Sequence, residues 1–211
     1  LSRSLGLLQF LVNILIFWLF VYIDIIIHEF GHAIAGWIVR FPIPKITIGF
    51  GQNLFKYKFK NTTLVVNKGM QGGLTYPGTM SPKFLRLRYF FFTLGGVGLQ
   101  IISLILVSII LGIVEYLDYG FFLNNNIIST IISFFFVSNL LLIVINLIPF
   151  QVNLVGIPMP NDGLVLLTIF FMKPERIQEI LLSGQILEGM DYLEEKEFSK
   201  AQEIHKSLSA Q

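Results

Sequence analysis

The chain has 211 residues, 54% of them hydrophobic, 14% aromatic and only 13% charged, with a mean hydropathy of +0.73 and a net charge of +2. Soluble domains carry nearer ~25% charged residues, so the composition excludes a disordered chain and argues against a soluble enzyme, while the small net charge argues against a nucleic-acid partner. With no cysteine, neither a disulfide nor a thiolate metal site is available, and any metal must be held by His and carboxylate.

The charge is unevenly spread. Residues 1–172 carry 10 Lys/Arg against 5 Asp/Glu, whereas residues 173–211 carry 5 against 8. This divides the chain into a membrane-embedded unit, 1–172, and a water-facing tail, 173–211.

Taken in chain order, residues 5–27 form a 23-residue, nearly unbroken apolar run, long enough as a helix to cross a hydrocarbon core of ~30 Å. It is too long for a signal-peptide core, and no small-residue cleavage site follows. The helical pattern continues through His28–His32 to about Val39, where Pro42 and Pro44 end it. Residues 54–60 then alternate aromatics with lysines, the pattern of a half-buried strand whose open face is protected by charge. Residues 62–66 and 46–48 read as two more short strands, with Gly69, Gly72, Gly73, Pro77 and Gly78 as turns. Two further uncharged runs, 89–114 and 127–148, follow, the second closed by Pro149; residues 164–172 are apolar but too few to span.

The expected fold is therefore an all-α integral membrane protein. It has three transmembrane helices, a broken half-helix, a small sheet at the membrane surface within residues 40–88 and a short helical tail. The tail splits near Lys196, and Gly189, Tyr192, Phe198 and Ala201 fall at offsets resembling one tetratricopeptide-type helix pair. One such pair cannot form an array, so the tail reads as a surface hairpin or a docking point for a regulatory protein. His205 within it reads as a solvated residue.

Loop 40–88 holds nine Lys/Arg; loop 115–126 holds none and carries Glu115 and Asp118. The positive-inside rule makes the first loop and the tail cytoplasmic, and the second loop and the N-terminus external. The expected setting is a bacterial cytoplasmic membrane.

The chemistry centres on His28-Glu29-Phe30-Gly31-His32. On a helix the two imidazoles lie on one face and can share one Zn²⁺, while Glu29 stands beside them as a base for the attacking water. Ionisable groups at membrane depth are costly and functional by default. Outside the tail, the acidic candidates for a third ligand are Asp24, Glu115, Asp118 and Asp162, plus Glu29 itself. Glu115 and Asp118 lie a whole span away. Asp162, in Asn161-Asp162-Gly163 at a helix break, is the better ligand, because such breaks at membrane depth line polar cavities. Asp24, four residues before His28, reads either as acceptor for the free ring N–H of His28 or as a water-exposed acid in the cavity.

These motifs resemble the site-2 proteases, which are intramembrane zinc metalloproteases: the His28–His32 pattern ends an N-terminal span, and Asn146-Leu147-Ile148-Pro149 and Asp162-Gly163 come late in the chain. The resemblance covers about residues 7–172. It implies one Zn²⁺ held by His28, His32 and Asp162, with Glu29 as general base and Asn146 at the substrate. It also implies a β-loop over 44–75 that holds substrate as an added strand, with Gly72-Gly73 as the family's glycine pair. The alternation over 54–60 locates that strand at Phe55, Tyr57 and Phe59, expected to line the approach to the metal. Two features depart from the family pattern: twelve residues separate Pro149 from Asp162, and Gln100 stands where an Asn is common. The expected activity is hydrolysis of peptide bonds in or near transmembrane segments of membrane-bound substrates. The alternative is a non-catalytic membrane protein that uses the same fold to retain a partner.

Overall fold

The computed structural model describes residues 2–78, 83–117, 126–154, 157–194 and 198–209. Asp118 and Lys196 lie outside the described residues. The described residues are mostly helical, with two small sheets among them.

Helices α1 (Ser2–Ile38), α2 (Leu85–Leu117) and α3 (Asn126–Leu147) contain the apolar stretches Gly6–Ile38, Leu85–Tyr116 and Ile127–Leu147, each long enough to cross a membrane. Large apolar side chains such as Leu15, Ile105 and Val144 point outward along them, a surface that lipid covers and water would not. At the end of α1, Arg40 adopts the left-handed conformation at φ 63 and Phe41 N–H donates to Gly36 O at 2.8 Å. That closure turns the chain back before the two prolines.

β1 (Lys45–Phe59) and β2 (Thr62–Tyr76) pair as an antiparallel ladder with several register shifts. Both strands bend at glycines of positive φ: Gly49 and Gly51 in β1, Gly72 in β2. As a result, residues 45–48 have partners on both sides, 63–66 and 73–76, whereas 55–59 and 73–76 are each paired on one side only. Gly69, Gly72 and Gly73, expected as turns, lie inside β2. A glycine kink lets a strand bend without ending it.

The interval between Pro149 and Asp162 holds an unexpected hairpin, β3 (Gln151–Leu154) with β4 (Ile157–Pro160), leading into the short α4 (Asp162–Thr168). Two tail helices follow, α5 (Pro174–Glu194) and α6 (Phe198–Ser209). The core runs through all these layers. Ile46 and Ile48 of β1, Leu85 and Phe92 of α2, Val165 of α4 and Ile177 and Leu181 of α5 belong to one buried apolar cluster. The first tail helix is thus packed into the body of the protein.

Candidate metal centre

His28 and His32 sit one helical turn apart on α1, both buried. Helix α2 fixes their tautomers. His32 Nδ1 lies 2.9 Å from the carbonyl oxygen of Phe92. A carbonyl only accepts, so Nδ1 is the N–H donor and Nε2 keeps a bare lone pair. His28 Nδ1 lies 3.0 Å from Gln100 Oε1 and 3.4 Å from Asn146 Nδ2. The shorter contact, to an acceptor, selects the same tautomer.

Asp162 enters from the first turn of α4. Its Oδ2 is 3.0 Å from His28 Nε2 and 3.1 Å from His32 Nε2, and the two Nε2 atoms are 3.0 Å apart. Three lone-pair atoms therefore face one another, and Oδ2 finds no hydrogen-bond donor among the described residues. Such a cluster needs a cation. Tetrahedral zinc with ligands at ~2.0–2.2 Å spaces its donors about 3.3–3.6 Å apart, a few tenths of an ångström wider than this triangle. The residues present fit a metal of that kind. Burial tends to raise the Asp162 carboxyl, but positive charge on the neighbouring imidazoles, when they are protonated, more than reverses this and holds it well below the ordinary carboxylate range. A bound cation would supply the same positive charge with the rings neutral.

Close helix packing makes room for this centre. A Cβ on Gly96 would lie 2.6 Å from both His28 Cε1 and His32 Nε2, and Gly31 and Gly95 bring the backbones of α1 and α2 into contact. Glu29 is buried in the same cavity, outside the ligand triangle. Its Oε2 accepts from Thr75 Oγ1 at 2.7 Å. A Cβ on Gly73 would come within 2.5 Å of Glu29 Cγ, so only glycine lets β2 pass this close.

Asn161 explains how a twelve-residue interval still delivers Asp162 to the histidines. Its Oδ1 accepts from Phe150 N–H and caps α4 through Leu164 N–H, while its Nδ2 donates to Asn146 O and Ile148 O. Those carbonyls lie where Pro149 ends the ladder of α3. The hairpin is pinched shut at its base, and the chain re-enters where a short loop would have left it.

The cavity beside the metal centre measures about 410 Å³. Its walls include Gly72, Gly73, Leu74 and Thr75 of β2, Asn146 of α3, and Ile180 and Gly184 of α5. Phe55, Tyr57 and Phe59 were expected there. They are instead exposed on the far one-sided segment of β1, away from the cavity. Period-two alternation identifies a strand but not which edge meets the site. Asp24 also differs from expectation. It is fully buried and bonded to Ser138 Oγ at 2.5 Å and Asn139 Nδ2 at 3.0 Å, both from α3. Gln100 occupies the position at His28 Nδ1 expected of Asp24. Glu115 stands near the far end of α2, fifteen residues beyond Gln100, a rise of about 22 Å. His205 is exposed on α6.

Sequence reasoning did not anticipate Thr75, Asn161, Ile180 and Gly184. Asn161 carried a legible signal, since Asn followed by Asp-Gly before an apolar run is a helix N-cap pattern. Tyr192 of α5, singled out in the sequence only for its helix-pair offset, meets β1: its ring lies 5.2, 5.4 and 5.1 Å from the ammonium groups of Lys45, Lys56 and Lys200. These cation–π contacts tie both tail helices to β1.

Residues 16–113 match peptidase family M50, the site-2 protease family. M50 proteins are membrane-embedded metallopeptidases. The M50 match takes in α1 from residue 16 with His28, Glu29 and His32, both long strands, and α2 to residue 113, Gln100 included. It ends before Asn146 and Asp162, whose place beside the M50 histidines rests on geometry. No curated protein matches the chain.

Proposed function

We propose that this protein is an intramembrane zinc metallopeptidase that hydrolyses peptide bonds in or near transmembrane segments of membrane-protein substrates. The observation that carries the reading is the convergence of His28 Nε2, His32 Nε2 and Asp162 Oδ2 in one cavity with the buried carboxylate of Glu29. A mere metal holder has no use for that fourth group.

Zn²⁺ held by His28, His32 and Asp162 would polarise the scissile carbonyl and bring the pKa of a water to about 7. Glu29 takes the proton of the attacking water and hands it to the leaving amide nitrogen. The hydroxyl of Thr75 holds the Glu29 carboxylate in place from β2. Asn146, in the cavity beside His28, presents its amide for orienting the substrate backbone. A transmembrane helix hides its carbonyls in its own hydrogen bonds and must unwind to be cut. Residues 73–76 are paired on one side only and offer backbone partners to the unwound stretch, as in strand addition. This edge, with Gly72 and Gly73, replaces 54–60 as the substrate strand.

The loop charges further support a cytoplasmic location for loop 40–88 and the tail, with the metal centre opening towards that side. The test is direct. Purified wild type and Glu29→Gln are incubated with single-span membrane proteins, and zinc is quantified in both. The expected outcome is one zinc in each and cleavage by the wild type alone. Equal turnover by the two would assign water activation elsewhere; zinc without cleavage in either would favour the binding-and-retention alternative.

A further inference from the structure

The interval between Pro149 and Asp162 does more than fill space. Val152 of β3 and Met159 of β4 are cross-strand partners, so their side chains leave the same face of the hairpin, about 4.5–5.5 Å apart. Both line the cavity, together with Phe150 and Pro160. The hairpin has no outward N–H to donate on its β4 side. Pro158 and Pro160 have no N–H, so the ladder to β3 must run through Ile157 and Met159, and the alternate positions that would turn N–H groups outward are the two prolines. What β4 offers the cavity is therefore side chains and carbonyl acceptors without donors, in contrast to the full backbone edge offered by β2. Beyond Val152 and Met159 the wall continues through Leu142, Ile145 and Val165, all apolar. The carboxylates and imidazoles of the cavity are those of the metal centre and Glu29.

The geometry points to the β3–β4 hairpin as the specificity element of this peptidase: Val152 and Met159 form the wall against which the substrate side chain next to the scissile bond packs. The inference rests on the peptidase reading above. Such a wall accepts medium-sized apolar side chains, and the unbranched thioether of Met159 adapts to their shapes. A charged side chain would be buried there without a partner and is rejected.

The experiment uses the full zinc-loaded chain in detergent and a panel of single-span peptides. Each peptide carries a Gly-Gly pair in mid-span and, beside it, one varied residue: Ala, Leu, Met, Phe or Asp. For the wild type, Leu and Met are expected to exceed Ala by about tenfold, the scale on which apolar pockets discriminate, with no cleavage beside Asp. Met159→Ala should move the preference towards Phe, and Met159→Phe towards Ala, each by about tenfold, while Met159→Leu keeps the wild-type order. Val152→Phe narrows the same wall from the other strand, so it should reproduce Met159→Phe and decides the matter if a Met159 variant does not fold. An unchanged ranking in variants that still cleave would remove the specificity wall alone. Failure of the zinc-loaded wild type to cut any peptide would remove the peptidase reading, and the wall with it.

Discussion

Gly96→Ala is the sharpest test of how the metal centre is built. The added Cβ would meet His28 Cε1 and His32 Nε2 at 2.6 Å, where ordinary contact begins at 3.4 Å. Each ring must therefore retreat by about 0.8 Å, the difference of those two distances, or α2 must back away from α1. The second route disturbs the centre as well, because it parts the backbones packed at Gly31 and Gly95 and draws Phe92 O and Gln100 Oε1 away from the two imidazoles. Metal–ligand distances tolerate only about ±0.2 Å, so the displacement is several times what the centre can absorb. Even the loss of an outer partner costs metal sites 10–100-fold in affinity; zinc affinity here should fall by at least about 100-fold. Helix propensity works the other way, since alanine in place of a mid-helix glycine gains about 0.5–1 kcal/mol. A folded but metal-poor protein is the expected product. The control is Gly98→Ala, two residues on, whose Cβ meets nothing within 4 Å. Both variants are purified in detergent, equilibrated against graded chelator and assayed for bound zinc. If Gly96→Ala holds zinc as tightly as Gly98→Ala, the packing argument is wrong.

Three further outcomes follow from the same geometry. Thr75→Val removes the donor to Glu29 Oε2 at nearly constant volume, so turnover should fall about tenfold, the effect of one hydrogen bond of ~1.5 kcal/mol, with zinc content unchanged; an equal loss of zinc would assign Thr75 to the metal instead. Asn161→Ala deletes the helix cap and the two bonds to the end of α3; it should lower stability by about 2–4 kcal/mol and zinc affinity with it, read by thermal unfolding with and without zinc. For topology, single cysteines can be introduced freely, because the chain has none: in intact cells an impermeant thiol reagent should label position 120 but not position 61, and the reverse pattern would invert the orientation.

How far the sequence discloses this structure depends on the range of the interaction involved. The His28–His32 spacing is set by one helical turn, so its geometry could be derived without knowing any other element. Asp162 was reachable by chemistry, since an acid at a helix break in an apolar chain has few other uses. Asp24 shows where that logic stops. Helix periodicity places it on the His28 stripe, but only packing reveals that Ser138 and Asn139 of α3 compete for its carboxylate and that Gln100 reaches His28 first. The sheet fails for a similar reason. The pattern over 54–60 marks a strand correctly, yet bends at Gly49, Gly51 and Gly72 decide which segment becomes the edge beside Glu29. The hairpin at 151–160 was hidden because four-residue strands interrupted by prolines carry little pattern. The docking of α5 was hidden because its charged surface masks the buried row of Ile177, Ile180 and Leu181.

The order in which the site's parts emerge from the ribosome has a consequence for the cell that makes this protein. The two histidines and Glu29 belong to the first helix, whereas the third ligand comes at residue 162 and one cavity wall at residues 180 and 184. At typical translation rates of about 5–20 residues per second, the 130 residues from His32 to Asp162 take roughly 7–26 s to synthesise. Throughout that interval the nascent chain holds only two of the three ligands proposed for the metal, and its cavity lacks the wall supplied by residues 180 and 184. On the proposed function, the chain cannot act until residue 162 has been made and has packed beside the histidines, so the late position of Asp162 would work as a safeguard during its own biogenesis.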